Sequence, residues 1–224
     1  MSKSESSNSR IGSKGALAVA LSRLESFSEP KVRVEQYITD AEIAAEVLWN
    51  AHMKGDIRKV SVDLGCGTGI LGLGLLLLGK VRVFMVDADE DALKIAKENY
   101  QKLQSEFNMS GEAVFVHKDI KDFKETADLV VQNPPFGVKN KHADKEFLKK
   151  AFEISNVVYS FHKSESKRFI ENLSRENGFN VTNIFDFEFP LKATYSYHTR
   201  KIKRIKVSCF RIEKTNKILK NNDQ

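Results

Sequence analysis

The feature that most constrains the fold is an alternation of strand-like and helical segments that begins at Lys59. Short runs rich in β-branched and apolar residues, such as KVSVDL and VRVFMVD, are separated by longer helical stretches, such as DEDALKIAKENYQKLQSEF. This alternation predicts an α/β fold with a mostly parallel sheet and helices on both faces. The last two strand-like segments, Val181 to Phe189 and Lys201 to Glu213, have no helix between them. We therefore expect them to form an antiparallel hairpin at the end of the sheet.

We expect one folded core with short additions at both ends. Residues 1–13 are polar and predicted to fray, residues 14–56 have the spacing of helices that pack on the core, residues 57–213 hold the α/β domain, and residues 214–224 form a basic tail. A chain of 224 residues suits one domain of ordinary core size.

The composition favours a cytoplasmic protein. Two cysteines, Cys66 and Cys209, are too few for a disulfide framework, and they predict no metal site. The longest apolar run, Ile70 to Gly79, is shorter than the about 20 residues of a membrane-spanning helix, and the polar N-terminus lacks the apolar core of a signal peptide. The formal net charge of +6 permits nucleic acid as a partner without requiring it.

A glycine-rich turn, VDLGCGTG, follows the first predicted strand and precedes a helix. Gly65, Gly67 and Gly69 would let the backbone approach a ligand closely, and the start of the helix offers free N–H groups. Tight turns also use glycine for geometry alone, so this turn is a weak signal by itself. Two acids at the ends of the next strands strengthen it, because Asp87 could accept both hydroxyls of a ribose and Asp119 an adenine amino group.

The turn differs from the turns that bind pyrophosphate. Its glycine spacing is G-x-G-x-G rather than G-x-G-x-x-G, and Asp63 places negative charge just ahead of it. A cofactor without phosphates and with a positive centre fits this corner better. S-adenosylmethionine meets that description.

The fourth predicted strand ends in Asn133-Pro134-Pro135-Phe136, where proline prevents the strand from continuing. The side-chain oxygen of Asn133 and the carbonyl of Pro134 could accept the two N–H bonds of an exocyclic amine, and the prolines would keep this pair of acceptors rigid. Phe136 offers a flat face on which a flipped base could stack. A rigid turn explains these four residues alone, but their position after the glycine turn and the two acids favours catalysis.

These motifs resemble those of the Rossmann-like, seven-stranded methyltransferases that use S-adenosylmethionine. The segments VEQYITDAEIAAEVL, DLGCGTGIL, NPPFGVKNKHADKEFL and FPLKATYSYHTRK are similar, more narrowly, to the small-subunit ribosomal RNA N6-adenine methyltransferase family of archaea and eukaryotes. The resemblance implies that the glycine turn holds the amino-acid end of the cofactor and adds a Gln-Tyr-x-Thr segment to its site. The predicted cofactor contacts are Gln36, Thr39, Asp63, Gly65, Gly67, Thr68, Gly69, Asp87, Asp119 and Ile120.

Basic residues near the predicted catalytic loop and the C-terminus could contact RNA phosphates. The C-terminal basic segment continues to Arg211, but its charges fall on both faces of the predicted strand, so a solvated edge is the alternative. For His162 and Lys163, which end the fifth predicted strand, the alternative is that they are ordinary polar residues at the start of a loop. The predicted RNA contacts are Lys139, Lys141, His162, Lys163, Arg200, Lys201 and Lys203.

The third predicted strand, with Ala113 to Val116, should lie at a sheet edge, where apolar residues invite pairing. The family resemblance implies a small zinc-binding activator protein that adds a strand there. Two other functions use the same sequence features. A glutamine-amide methyltransferase acting on a translation protein would share the Asn-Pro-Pro pocket, and a non-catalytic RNA-binding assembly factor would retain only the fold.

Overall fold

The computed structural model describes residues 11–26, 39–135, 143–191 and 203–215. Within them, seven strands form one sheet in the order β3-β2-β1-β4-β5-β7-β6. The first five strands are mutually parallel, and β7 is antiparallel to both of its neighbours, which confirms the predicted fold class. The strands are β1 (Val60–Leu64), β2 (Arg82–Asp87), β3 (Glu112–His117), β4 (Leu129–Gln132), β5 (Val157–Lys163), β6 (Phe179–Leu191) and β7 (Lys203–Lys214).

Helices cover both faces of the sheet and pack into two apolar layers. One layer joins the first four helices to one side of the strands, and the other joins the fifth and sixth helices to the opposite side. Alternate strand residues divide between the layers, so that Val131 belongs to the first and Val130 to the second. The helices are α1 (Lys14–Ser22), α2 (Ala41–Met53), α3 (Ile70–Leu78), α4 (Glu90–Glu106), α5 (Ala143–Ile154) and α6 (Lys167–Glu176).

The strand order reverses between β1 and β4, which lie side by side at the centre of the sheet. Leu64, the last residue of β1, is paired with Gln132, the last residue of β4. The glycine turn and Asn133 therefore leave the sheet at the same level from adjacent strands. In open α/β sheets this switch point is where ligands bind.

A buried ion pair ties the end of α2 to β7. The Arg211 guanidinium donates from Nε to Asp56 Oδ2 at 2.8 Å and from Nη2 to Asp56 Oδ1 at 2.9 Å. Tyr159 Oη donates to the same carboxylate at 2.7 Å, and all three side chains are buried. The inclusion of Arg211 in an RNA-binding segment was therefore wrong, because its guanidinium is consumed by a structural contact.

The two sheet edges are β3 and β6, so the predicted edge position of β3 is confirmed. Residues 113–116 are half-buried there. Over the chain that the structure describes, none of the helices has the length and apolar character of a membrane-crossing segment. In the same residues, no group of three or more His, Cys, Asp or Glu side chains is arranged to hold a metal ion.

Candidate active site

The glycine turn after β1 uses the left-handed backbone that glycine adopts without strain. Gly65, Gly67 and Gly69 have φ angles of 68°, 54° and 91°. The turn is fastened to β2, because the N–H groups of Gly65 and Cys66 both donate to the carbonyl of Val86, at 2.8 and 3.0 Å. This fastening holds the predicted cofactor loop in one conformation.

Asp87 braces the glycine turn from the end of β2. Its Oδ2 accepts from the N–H of Gly67 at 2.8 Å, and its Oδ1 accepts from the N–H of Asp89 at 2.8 Å. Burial raises the pKa of Asp87 above its usual value, although these two N–H groups oppose the rise. The carboxylate thus has a structural task in addition to the ribose contact predicted for it.

Asp63 lies deeper, beneath the same turn, with only 1% of its surface exposed. Its Oδ2 accepts from the N–H of Gly72 at 2.8 Å, whereas its Oδ1 is buried without a hydrogen-bond partner among the described residues. Burial raises the pKa of Asp63 to about 7, and the negative charge of Asp87 adds to this rise. The hydrogen bond from the N–H of Gly72 lowers the pKa but does not offset the effect of burial. A buried carboxyl group with an unmet oxygen favours a positively charged neighbour.

Asn99 supports the turn and was missed by the sequence analysis. Its Nδ2 donates to the carbonyls of Thr68 at 3.0 Å and Glu25 at 2.9 Å, and its Oδ1 accepts from the N–H of Glu25 at 2.8 Å. The signal was a polar residue on the apolar face of α4, between the buried Ala96 and Leu103. Asn99 therefore links the N-terminal segment to the cofactor loop.

Asp119 and Ile120 follow β3 at the same edge of the sheet. Asp119 begins a 3-10 turn by accepting the N–H of Lys121 at 3.1 Å, and its side chain remains about half exposed, at 48%. Ile120 is partly buried against the second apolar layer. Both residues stay predicted cofactor contacts.

Asn133 leaves β4 next to the glycine turn. Its Nδ2 donates to Thr39 Oγ1 at 2.9 Å, while its Oδ1 is buried and has no partner among the described residues. Pro134 is buried and Pro135 is half-buried. The structure therefore brings the predicted acceptor, Asn133, together with Thr39, a residue predicted for the cofactor site.

A buried polar chain begins at Gln132, the residue before the predicted acceptor Asn133. Gln132 Nε2 donates to Ser160 Oγ at 2.9 Å, and Ser160 Oγ lies 2.6 Å from His162 Nε2. Burial lowers the pKa of His162 to about 3, so its ring is neutral at pH 7. Gln132 and Ser160 were not predicted, although polar residues inside apolar strands are the signal for such a chain.

The prediction that His162 contacts RNA is wrong, because only 1% of it is exposed. The strand β5 pairs with β7 from Val157 to Lys163, and the ring of His162 lies 6.0 Å from that of Phe210 of β7. Lys163, the next residue, is half-buried with its Nζ 3.9 Å from Glu165 Oε1, and its RNA contact stays a prediction.

The remaining predicted residues lie where the structure supports no statement about their side chains. Lys203 begins β7, and only its backbone is described. The predicted contacts outside the described residues are Gln36, Phe136, Lys139, Lys141, Arg200 and Lys201.

Comparison with known proteins identifies the family of this chain and its fold. Residues 39–156 match the family described as "Methyltransferase small domain". A protein of Danio rerio named rRNA N(6)-adenosine-methyltransferase METTL5 is 32% identical over 207 residues, which cover 89% of this chain and 98% of that protein. A crystal structure of a candidate RNA methyltransferase from Pyrococcus horikoshii has 42% identity and a TM-score of 0.80, and covers 92% of this chain and 98% of its own.

A more distant structure shows the shared fold alone. The magnesium protoporphyrin IX methyltransferase of Synechocystis, solved with bound S-adenosylmethionine, is 14% identical with a TM-score of 0.58, covering 77% of this chain and 78% of its own.

The corner between β1, β2 and β4 fits S-adenosylmethionine as the cofactor. The Oδ1 of the buried Asp63, which has no hydrogen-bond partner within the described ranges, suits a cofactor that carries positive charge. The left-handed glycines present backbone without side chains, and a side chain at Gly65 would bring its Cβ within 2.8 Å of the Phe147 ring. The family match and this corner together identify S-adenosylmethionine as the cofactor.

Proposed function

We propose that this chain, which belongs to the methyltransferase small-domain family, methylates N6 of adenine in structured RNA and that its target is the small-subunit ribosomal RNA. The observation that carries the proposal is the buried Oδ1 of Asn133, which has no hydrogen-bond partner among the residues that the structure describes and follows the strand next to the one that leads into the glycine turn. A buried acceptor oxygen beside the proposed cofactor site suits a substrate that carries N–H donors.

S-adenosylmethionine, when bound, supplies a methyl group whose bond to a positively charged sulfur breaks readily, with the sulfur as the leaving group. The residues of the chain then have to orient the amine. The lone pair of an exocyclic amine is delocalised into its ring, and two acceptors that take its two N–H bonds favour the geometry in which the lone pair can attack. Asn133 Oδ1 and the carbonyl of Pro134 are the proposed acceptors, and the adjacent prolines limit their movement.

The choice of RNA rather than protein rests on the relatives. The Danio rerio protein, which matches this chain over nearly its whole length, is named an rRNA adenosine methyltransferase. The Pyrococcus horikoshii structure is described as that of a candidate RNA methyltransferase. The net charge of +6 is compatible with RNA. Lys139 and Lys141, which follow the proposed catalytic residues in sequence, and Lys163, which ends β5, are the proposed phosphate contacts. Arg200, Lys201 and Lys203 form a second proposed group.

Most of the proposed cofactor contacts are among the described residues, at the carboxyl-end edge of the sheet. Thr39, Asp63, Thr68 and the three glycines lie near the carboxyl ends of β1 and β4, Asp87 ends β2, and Asp119 follows β3 by two residues. Gln36 is proposed from the family resemblance, and so is Phe136 as the base-stacking ring. A cytoplasmic location stays a prediction.

We also propose that a small zinc-binding protein adds a strand to the edge of β3 at Ala113 to Val116. Support comes from the edge position of β3 and from its half-buried apolar residues. One equivalent of zinc that co-purifies with the chain from its native source, and is lost with Val114→Lys, would support this partner. A chain that is fully active alone would contradict the need for it.

The substrate is tested by supplying ribosomal subunits together with S-adenosylmethionine labelled in its methyl group. The proposal predicts label in the RNA of the small subunit, recovered after nuclease digestion as N6-methyladenosine. Label in a protein, at a glutamine amide, would replace the RNA proposal with amide methylation. No label in either fraction, with cofactor binding intact, would favour a non-catalytic assembly factor.

A further inference from the structure

We infer that Lys150 is a positioning residue, which holds the turn that carries Asp119 in the conformation that receives the adenine end of S-adenosylmethionine. The inference deepens the proposed function, because it rests on the adenine contact proposed for Asp119. It does not depend on which substrate is methylated.

Lys150 lies on the buried face of α5, beside Ala151 and Ile154. Only 8% of it is exposed, and lysine is rarely buried to this extent unless its ammonium group has partners. Its Nζ donates to the carbonyl oxygen of Phe123 at 3.0 Å and lies 2.9 Å from Glu153 Oε2. An ammonium group can only donate, so the direction of these contacts is settled by its chemistry.

The carbonyl of Phe123 closes the 3-10 turn that Asp119 begins. Within this turn, the N–H of Asp122 donates to the carbonyl of Asp119 at 3.0 Å, and the N–H of Phe123 donates to the carbonyl of Ile120 at 3.2 Å. Carbonyl groups at the end of a helical turn need partners outside it, and Lys150 supplies one here. The ammonium group therefore anchors the end of the turn opposite to Asp119.

The same helix also contacts the glycine turn, on the other side of the proposed cofactor site. Phe147 lies three positions before Lys150, and its ring packs so close to Gly65 that a Cβ there would lie 2.8 Å from it. Residues three apart lie on one side of a helix. The helix α5 thus joins the glycine turn to the turn of Asp119, and the second of these connections includes the buried bond from Lys150.

The test replaces the ammonium group by Lys150→Met, which keeps the length of the side chain. Loss of a hydrogen bond from a charged donor shifts an equilibrium by up to about a hundredfold, so the turn should keep its receptive conformation only about one-tenth of the time. The Kd of S-adenosylmethionine, measured by calorimetry, should then rise about fivefold. Glu153 is 61% exposed, so water solvates its carboxylate when the lysine is removed.

Two further variants accompany this measurement. Lys150→Arg keeps a charged donor and should bind the cofactor within about threefold of wild type. Lys149→Met is the matched control, because it removes the same charge from the adjacent, exposed position of α5, and its Kd should stay within about twofold of wild type. If Lys150→Met does not fold, Lys150→Gln takes its place, since its amide ends about one bond short of the ammonium group.

Discrimination at the adenine ring separates positioning from a general loss of stability. The ligands are S-adenosylhomocysteine and its analogue without the 6-amino group. Wild type should prefer the first about tenfold, because Asp119 accepts from that amine, and in Lys150→Met the preference should fall to about twofold. A protein that is merely less stable would bind both ligands more weakly and keep the preference.

A last readout needs no ligand. The backbone N–H of Phe123 should exchange with solvent about tenfold faster in Lys150→Met than in wild type, and Lys149→Met should match wild type. Unchanged exchange, or a preference that Lys150→Met retains, would overturn the inference. A wild type without the preference would refute the adenine contact of Asp119 and the inference with it. None of these results depends on RNA, so they are distinct from a failure to methylate it.

Discussion

The carboxyl group of Asp63 should make the stability of the protein depend on pH in an unusual direction. Its pKa rises from 3.8 in the unfolded chain to about 7 in the folded one, chiefly because it is buried. At about 1.36 kcal/mol per pKa unit, complete ionisation would remove ~4 kcal/mol from the free energy of unfolding. The group is 1% exposed, so solvent does little to reduce this value.

The sign follows from proton binding. The folded state holds the proton more tightly than the unfolded state, so the destabilisation is absent below pH 3.8, grows as pH rises, and is complete above about pH 7. Asp63→Asn keeps the shape of the side chain and removes the charge. Its oxygen can still accept from the N–H of Gly72, which bonds to Asp63 Oδ2 in the native protein.

The assay is urea denaturation of wild type and Asp63→Asn without cofactor, at several pH values between 4.5 and 8. The difference between the two proteins cancels the titration of other carboxylates. The free energy of unfolding of the variant minus that of wild type should increase by ~3–4 kcal/mol from the lowest pH to the highest. A difference that stays constant across this range would refute the account of a desolvated carboxyl group beneath the glycine turn.

Two further predictions concern contacts that hold the site in place. Arg211→Met should lower the free energy of unfolding by about 3–5 kcal/mol, because Asp56 is then buried without its partner. Arg211→Met combined with Asp56→Asn should recover at least half of that loss in urea denaturation, and an undiminished loss in the double variant would contradict the ion-pair explanation. Asn99→Leu should weaken S-adenosylmethionine binding about tenfold by calorimetry, since the carbonyl of Thr68 loses its donor and the turn loosens. An unchanged Kd would show that the turn does not depend on this side chain.

The sequence predicted the parts of the fold and site that depend on local patterns. The alternation after Lys59 predicted the α/β sheet with its terminal hairpin, and the glycine turn and the strand-end residues Asp87 and Asn133 were placed at the correct corners. These features follow from strand periodicity and turn chemistry, which act over a few residues. The edge position of β3 also followed, because it is a consequence of the strand order.

The contacts that the sequence did not predict join distant segments. Arg211 and Asp56 are 155 positions apart, and nothing in the local pattern of either residue indicates the pair. His162 ends a predicted strand, but the pairing of β5 with β7 continues to Lys163, so His162 lies within the sheet and is buried. The strand β6 is longer than the predicted Val181 to Phe189, because β7 pairs with it from Phe179 to Leu191.

The central claim is that Asn133 accepts an N–H of the substrate amine beside a cofactor site to which it contributes little binding. The most direct test is Asn133→Ala, measured both for single-turnover methyl transfer and for S-adenosylmethionine affinity. Removal of one fixed acceptor should lower the transfer rate by about 10²–10³-fold, while the Kd of the cofactor stays within about threefold of wild type. A variant that transfers methyl groups at the wild-type rate, or that loses rate only as far as it loses the cofactor, would contradict the claim.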